Sequence, residues 1–233
     1  MNKKGFTLAE ILITIGVIGV VAAITIPTLI KNYQKLVMVH RLKMAYTIFS
    51  QAVQMSIEEN GDPSSWTVYS ETFLSTYINP YLKSSSEIKP YYIYTLSSLK
   101  SGKNIYTQLL FHSNKTKTFQ LNNGISYSFT TQPNWGGPSY RIYVDLNGSQ
   151  EPNILGKDVF AFIVTLDKGL RTLNYNCTYK ELTGETLIDW NGCGGGAMSN
   201  YCNINNNSGY YSGQACAALI EKSGWKIPKD YPW

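Results

Sequence analysis

The sequence predicts an α+β protein in which a long N-terminal helix, membrane-spanning in its first half, packs on an antiparallel β-sheet head with a disulfide-stapled C-terminal region. An apolar run from Ile11 to Ile30 continues into an amphipathic segment that reaches an Asn-Gly-Asp-Pro stop at 60–63. Runs of alternating apolar and polar residues follow, and two of them flank an Asn-Gly turn at 123–124, a strong hairpin signal. All four cysteines lie in the last quarter of the chain.

Residues 1–5 form a very short basic leader ahead of the apolar run. A secretory signal would be cleaved after its apolar segment, next to small residues, but here the chain continues through Pro27 into more apolar residues. The natural break therefore lies before the run, between Gly5 and Phe6. The predicted organisation is a leader at 1–5, a transmembrane segment at 6–30, an amphipathic half-helix at 31–60, and an extracytoplasmic head at 61–233 with a Cys-rich region at 177–216.

The apolar run has the length of about 20 residues that spans a hydrocarbon core. Lys3 and Lys4 flank its N-terminal end, and positive charge tends to hold that end in the cytoplasm. The rest of the chain is then extracytoplasmic after a single pass. Pro27 removes a backbone hydrogen bond within the helix, which predicts a kink or a local break there.

Glu10 is the only acidic residue in the predicted transmembrane segment, residues 6–30. A carboxylate at mid-bilayer costs about 2.5–3.5 kcal/mol on insertion scales, so such residues usually face a partner. Cleavage after Gly5 would create a positive amine on Phe6, one helical turn from Glu10, in the same subunit or in a neighbour. The alternative is that Glu10 merely caps the helix start, where negative charge is favoured.

Beyond Ile30 the chain becomes amphipathic without a break, and one helix is predicted from Phe6 to about Glu59. Its apolar positions fall at three- and four-residue steps, as on one face of a helix. We expect this face to pack against the head. Its members are Met38, Leu42, Ala45, Phe49, Ala52 and Val53.

The head is predicted to be an antiparallel sheet, preceded at 64–100 by a mixed region with short helical pieces. Ala215–Lys222 is predicted as a short helix that Gly224 closes. The candidate strands are Ile105–Phe111, Thr116–Leu121, Ile125–Thr131, Tyr140–Leu146, Val159–Leu166 and Leu170–Tyr175.

The loop from Asp145 to Asp158 is rich in side-chain oxygens and is a calcium candidate, with Asp145, Asn147 and Asp158 as ligands. It departs from the EF-hand pattern, because Gly148 stands at the fourth loop position and not the sixth. The simpler interpretation is that its Asn-Gly and Pro-Asn pairs make turns. No other cofactor is predicted.

The four cysteines are Cys177, Cys193, Cys202 and Cys216. An even number confined to one Gly/Asn-rich region predicts two disulfides and hence an oxidising compartment. Three pairings are open. Zinc is the competing interpretation, but no pair has C-x-x-C spacing, and His40 and His112 lie elsewhere.

Composition argues against several function classes. The net charge of +5 includes Lys3 and Lys4, and what remains shows no dense basic stripe of the kind that binds nucleic acid. The chain has no nucleotide-binding Gly loop, no metal-ligand cluster and no nucleophile elbow, so we do not expect an enzyme. Aromatic residues make up 13% of the chain and eighteen are Tyr, which suits a sheet or a contact surface.

Residues 4–10, Lys-Gly-Phe-Thr-Leu-Ala-Glu, followed by an apolar helix, resemble the class III signal of type IV pilins and type II secretion pseudopilins. In that family a membrane-embedded prepilin peptidase cuts after the Gly and methylates the new N-terminal Phe. The resemblance covers roughly residues 1–60. It implies cleavage between Gly5 and Phe6, N-methylation of Phe6, and assembly roles for Glu10 and Pro27. For Glu10 it favours amine pairing over capping.

The resemblance implies a structural subunit of a type IV pilus-like or type II secretion pseudopilus filament. Its partners would be other copies or related pilins through the N-terminal helix, the prepilin peptidase, and an inner-membrane assembly platform with its ATPase. It would reside in the bacterial inner membrane and then in an extracytoplasmic filament, periplasmic or at the cell surface. Major pilin, minor pilin, and secretion or DNA-uptake pseudopilin stay open. The alternative is a single-pass membrane-anchored binding protein that does not polymerise.

Overall fold

The computed structural model of the protein describes most of the chain, in two compact units, Met1–Met38 and Val39–Trp233. The described residues are 5, 7–66, 72–83, 85–101, 107–108, 117–131, 140–165, 169–173, 202–205 and 212–233.

Helix α1 runs from Leu8 to Asn60 and includes Pro27, so the predicted local break at Pro27 is not observed. The helix ends where the Asn-Gly pair predicted it. Gly61 has φ +79°, and its N–H donates to Ile57 O over 3.0 Å. A glycine in this left-handed conformation is a common helix terminator because it carries no Cβ.

The head consists of short helical turns and strands around one main sheet. Strands β1, β4, β5, β6, β7 and β8 form a six-stranded antiparallel sheet in that order, and β2 pairs with β3 separately. The helical elements are Pro63–Ser65 (3₁₀), Leu74–Ile78 (π), Asn79–Tyr81 (3₁₀), α2 Ser98–Ser101 and α3 Cys216–Lys222. The strands are β1 Ser85–Ile88, β2 Ile93–Tyr94, β3 Thr107–Gln108, β4 Thr118–Leu121, β5 Ser126–Thr131, β6 Tyr140–Asp145, β7 Val159–Thr165 and β8 Gly169–Thr172.

The C-terminal half of α1 packs on one face of the main sheet. The Phe49 ring lies edge-on to Tyr127 of β5 with 5.0 Å between centroids, and Tyr46 contacts Phe162 of β7 at 5.6 Å. All six residues predicted to form the buried face of the helix are at most 7% exposed. Burying one large apolar side chain stabilises the fold by about 1.5–3 kcal/mol, so this face is a main source of head stability.

A second apolar cluster covers the opposite face of the sheet. Strand β7 is buried on both faces, as a continuous apolar run predicts: Phe160 and Phe162 alternate along it with Ala161 and Ile163, and all are at most 1% exposed. The second cluster comprises Ile93, Tyr143, Leu155, Val159, Ala161, Ile163 and Leu173.

Most predicted head elements are confirmed with trimmed ends. The Asn-Gly turn is observed, with Gly124 at φ +84°. Of the strand predicted at Ile105–Phe111, only β3 falls within the described residues. Strands β1 and β2 were not predicted, because β1 reads Ser-Ser-Glu-Ile at a sheet edge and β2 is two residues long.

Candidate processing and assembly segment

The start of α1 is organised by Thr7 and Glu10. The Thr7 backbone N–H and hydroxyl each donate to Glu10 Oε2 over 2.8 Å. In return the Glu10 N–H donates to Thr7 Oγ1 over 3.2 Å. This reciprocal arrangement is a capping box, which satisfies donors that a helix start otherwise leaves unpaired. The two residues therefore hold the Glu10 carboxylate at the N-terminal end of the helix.

Sequence reasoning considered Glu10 as a cap but missed Thr7 as its partner, although the Thr-x-x-Glu spacing is the signature of a capping box. Pairing of Glu10 with the amine of Phe6 stays a prediction, because Phe6 lies outside the described residues. Gly5 is exposed.

The helix that follows is apolar on every side and is exposed in the part of the chain that the structure describes. Its most apolar 18-residue window has a mean hydropathy of 2.4, and none of that window is buried. Leu8, Ile24 and Leu29 are 70–76% exposed. An apolar helix of this length needs lipid or other helices around it, and the segment fits membrane anchoring.

The acid loop, residues 145–158, joins β6 to β7 and holds the calcium candidates. The Tyr91 hydroxyl donates to Asp145 Oδ2 over 2.9 Å, and the Asn147 N–H donates to Oδ1 over 3.1 Å. Asp145 is fully buried. Burial, followed by the nearby charge of Asp158, raises the pKa of Asp145 to about 8.

Asp158 organises the other end of the acid loop. Its two oxygens accept the N–H groups of Asn153 over 2.8 Å and Ile154 over 2.6 Å. With its side-chain nitrogen turned inwards, Asn153 also donates to Asp145 Oδ2 over 3.2 Å. Burial raises the pKa of Asp158 to about 6, against the backbone N–H groups, which lower it. Tyr91 was not predicted from sequence, since it belongs to no recognisable motif, and Asn153 was predicted only as part of the Pro-Asn turn.

The structure brings Asp145, Asn147 and Asp158 into one loop, as the calcium hypothesis requires. However, the oxygens of both carboxylates already accept N–H or O–H donors. Within the described ranges, no group of three or more His, Cys, Asp or Glu side chains could hold a metal ion. Calcium binding stays a prediction, and the turn interpretation accounts for the observed bonds.

A disulfide within the C-terminal segment packs against the acid loop. Cys202 forms a disulfide with Cys216. Of the three pairings that the sequence left open, the structure therefore supports the one that contains this disulfide. A Cβ on Gly156 would lie 2.6 Å from Cys216 Sγ, and the Tyr231 hydroxyl donates to Gly156 O. Cys177 and Cys193 lie outside the described residues. His40 is exposed, and His112 is likewise not described.

Comparison with known proteins gives two matches to family models. Residues 28–233 match a model described as a family of unknown function (DUF6613). Residues 1–26 match the prokaryotic N-terminal methylation motif. No curated protein and no solved structure matches the chain. The motif confirms the type IV pilin-like prepilin signal and identifies a substrate of the pilin and pseudopilin type of prepilin peptidase.

Proposed function

Because this chain belongs to the family of unknown function that matches residues 28–233, and because it begins with a prepilin-type methylation motif, we propose that it is a filament subunit. The filament is a type IV pilus-like fibre or a type II secretion pseudopilus. The observation that carries the proposal is the apolar window of α1, directly behind a processing signal; its mean hydropathy is 2.4, and none of it is buried among the described residues.

The proposed assembly mechanism follows from cleavage of the precursor immediately before helix α1. Cleavage between Gly5 and Phe6 removes Lys3 and Lys4, so the helix loses the charges that favour its cytoplasmic flank. It also leaves an ammonium group at Phe6, close in sequence to the carboxylate that Thr7 holds at the helix start. An amine of a neighbouring subunit paired with Glu10 would neutralise a carboxylate that is costly in lipid. The pairing would favour helix addition at the fibre base.

The proposed partners are copies of this chain or related pilins, the prepilin peptidase, and an assembly platform with its ATPase. The subunit would pass once through the inner membrane with a cytoplasmic N-terminus before extraction into the filament. We propose a structural role without catalysis, and the head would then serve packing and surface contact.

The first test is the N-terminal mass and abundance of this protein in filaments sheared from its native cells. A dominant species that begins at methylated Phe6 indicates a major pilin, and a trace of that species indicates a minor subunit. Processed protein that is present only in the membrane fraction indicates a pseudopilin. A functional assembly whose subunits still begin at Met1 would refute the processing step.

Gly5→Val separates the filament proposal from a membrane-anchored binding protein. A filament subunit should remain at precursor mass and fail to assemble, because the cut that the prepilin-type signal implies follows Gly5. A simple anchor should keep both its mass and its function. Asn2→Ser is the matched control in the same leader and should be processed normally.

A further inference from the structure

The positive charge of the mature chain is concentrated directly behind the apolar segment. The collar, defined as residues 31–43, contains four basic residues and no Asp or Glu. Glu10 and Glu58 are the acidic residues nearest to it on either side. The basic residues are Lys31, Lys35, Arg41 and Lys43.

The collar also accounts for the net positive charge of the mature chain. The chain has 20 Lys and Arg and 15 Asp and Glu. Two basic residues lie in the leader and four in the collar, which leaves 14 from residue 44 onward; removing Glu10 leaves 14 acidic residues there as well. The chain from residue 44 onward is therefore neutral as a whole, and the collar carries the excess charge of the mature chain.

Part of the collar is exposed, and its composition is that of a membrane-interface segment; Lys35 is half-buried, and Met38, Val39 and Leu42 are buried. Lys31, Arg41 and Lys43 are exposed. Tyr33 and Leu36 stand among them, 67% and 62% exposed. An amphipathic aromatic ring next to Lys side chains is typical of the level of lipid headgroups.

Position along α1 puts the first two lysines at that level. The headgroup region adds about 5–8 Å on each side of the hydrocarbon core, and a helix rises about 1.5 Å per residue. If the core ends near Ile30, Lys31 and Lys35 lie within that layer, and their long side chains reach the phosphates. Arg41 is engaged with the head, since its Nη1 donates to Leu146 O over 3.1 Å, so the two lysines carry the proposed lipid contact.

We infer that the collar binds anionic phospholipid headgroups on the extracytoplasmic face of the membrane. The inference rests on the single-pass placement proposed above, which the prepilin-type signal supports and the count of flanking charges, four in the collar against two in the leader, does not. A lipid surface supplies the complementary negative charge, whereas a second copy offers a chain that is neutral from residue 44 onward. The contact holds the subunit at the bilayer before extraction, and it must break when the helix enters a filament.

The test reconstitutes the full chain in phosphatidylcholine vesicles and measures, by electron spin resonance, how strongly spin-labelled phosphatidylglycerol and phosphatidylcholine associate with it. One Lys near a charged surface changes association by about fivefold. We expect phosphatidylglycerol to be preferred by about five- to tenfold at low salt, and by less than about twofold at 0.5 M salt, where screening is short-ranged.

The decisive variant is Lys31→Gln with Lys35→Gln. It should lower the preference for phosphatidylglycerol at low salt to about the value that the unmodified chain shows at 0.5 M salt. Lys226→Gln with Lys229→Gln removes the same charge from two exposed head positions and should keep the preference. The leader is unchanged in both of these variants, so its lysines do not contribute to the difference.

Equal association of the two lipids, or an undiminished preference in the collar variant, overturns the inference while leaving the filament proposal intact. A chain that inserts into no bilayer overturns the single-pass placement itself, and the inference with it. Lys3→Gln with Lys4→Gln removes the leader charges and keeps the collar, so its salt-dependent preference for phosphatidylglycerol gives an answer even where the collar variant does not fold; loss of the preference in this variant overturns the inference.

Discussion

Raising the pH from 6 to 8 should lower the free energy of unfolding of the head. The reason is that the buried carboxyls of the acid loop hold a proton that the same carboxyls in the unfolded chain do not. Burial raises the pKa of Asp145 to about 8 and that of Asp158 to about 6. A carboxyl whose folded pKa is raised contributes stability that is fully present below its unfolded pKa and is lost as pH rises through the folded pKa. The loss therefore begins near pH 4 and ends near pH 8.

The size of the effect follows from the number of protons. Between pH 6 and 8 the folded head holds about one proton more than the unfolded chain, and each pH unit then changes the free energy of unfolding by about 1.4 kcal/mol. We expect a loss of about 2–3 kcal/mol over this interval. That is a large part of the 5–15 kcal/mol of an ordinary domain.

Urea unfolding of the full chain in detergent, followed by tryptophan fluorescence, measures this difference. Trp66 is 3% exposed and reports on the head. Asp145→Asn removes the main titrating group and should leave a nearly flat profile, whereas Asp230→Asn, at an exposed position, should keep the original slope. Equal stability at pH 6 and 8, or an undiminished slope in Asp145→Asn, would refute the reasoning.

Four further outcomes are expected. Thr7→Val removes a cap worth about 1 kcal/mol, so amide exchange in the first turn of α1 should quicken about fivefold, while Thr7→Ser should not change it. Phe49→Ala should cost about 3–5 kcal/mol in urea unfolding, against under about 0.5 kcal/mol for Met55→Ala, which is exposed on the same helix. Gly156→Ala should lower the melting temperature, since Cys216 Sγ occupies the space of the new methyl group and φ is +84°; unchanged melting would contradict that packing. Calcium or a chelator should leave the melting temperature of the head unchanged, because donors already occupy the carboxylates of the acid loop, and a rise with calcium would restore the metal hypothesis.

The predictable parts of the fold are those where the sequence shows a periodic apolar pattern or a residue that ends a helix or makes a turn. The buried face of α1 follows from the spacing of residues such as Leu42 and Phe49, and the end of the helix follows from Gly61. The Asn-Gly pair at 123–124 predicted the turn that joins β4 to β5. In each case a local pattern agrees with the tertiary contacts that form.

The unpredicted parts depend on contacts between residues distant in sequence. Tyr91 meets Asp145 across 54 positions, and no local pattern in the sequence indicates that meeting. The pairing of Cys202 with Cys216 likewise depends on the chain path between them. Strand β1 is polar and lies at a sheet edge, so it lacks the alternation that reveals half-buried strands.

At the processing segment, sequence identified Glu10 and its position relative to Gly5 and Phe6. It did not identify Thr7, whose hydroxyl accepts one bond and donates another. A search for the Thr-x-x-Glu spacing at predicted helix starts would have found it.

The packing of Phe49 and Tyr46 on the sheet also has a mechanical consequence. The residues that anchor the head belong to the same helix that begins at Leu8, so tension applied along that helix reaches the head through its own core. Such a pull loads the aromatic contacts of the helix with Tyr127 and Phe162 directly. A force on the N-terminal segment is thus borne by the packed core of the head and not by a flexible linker.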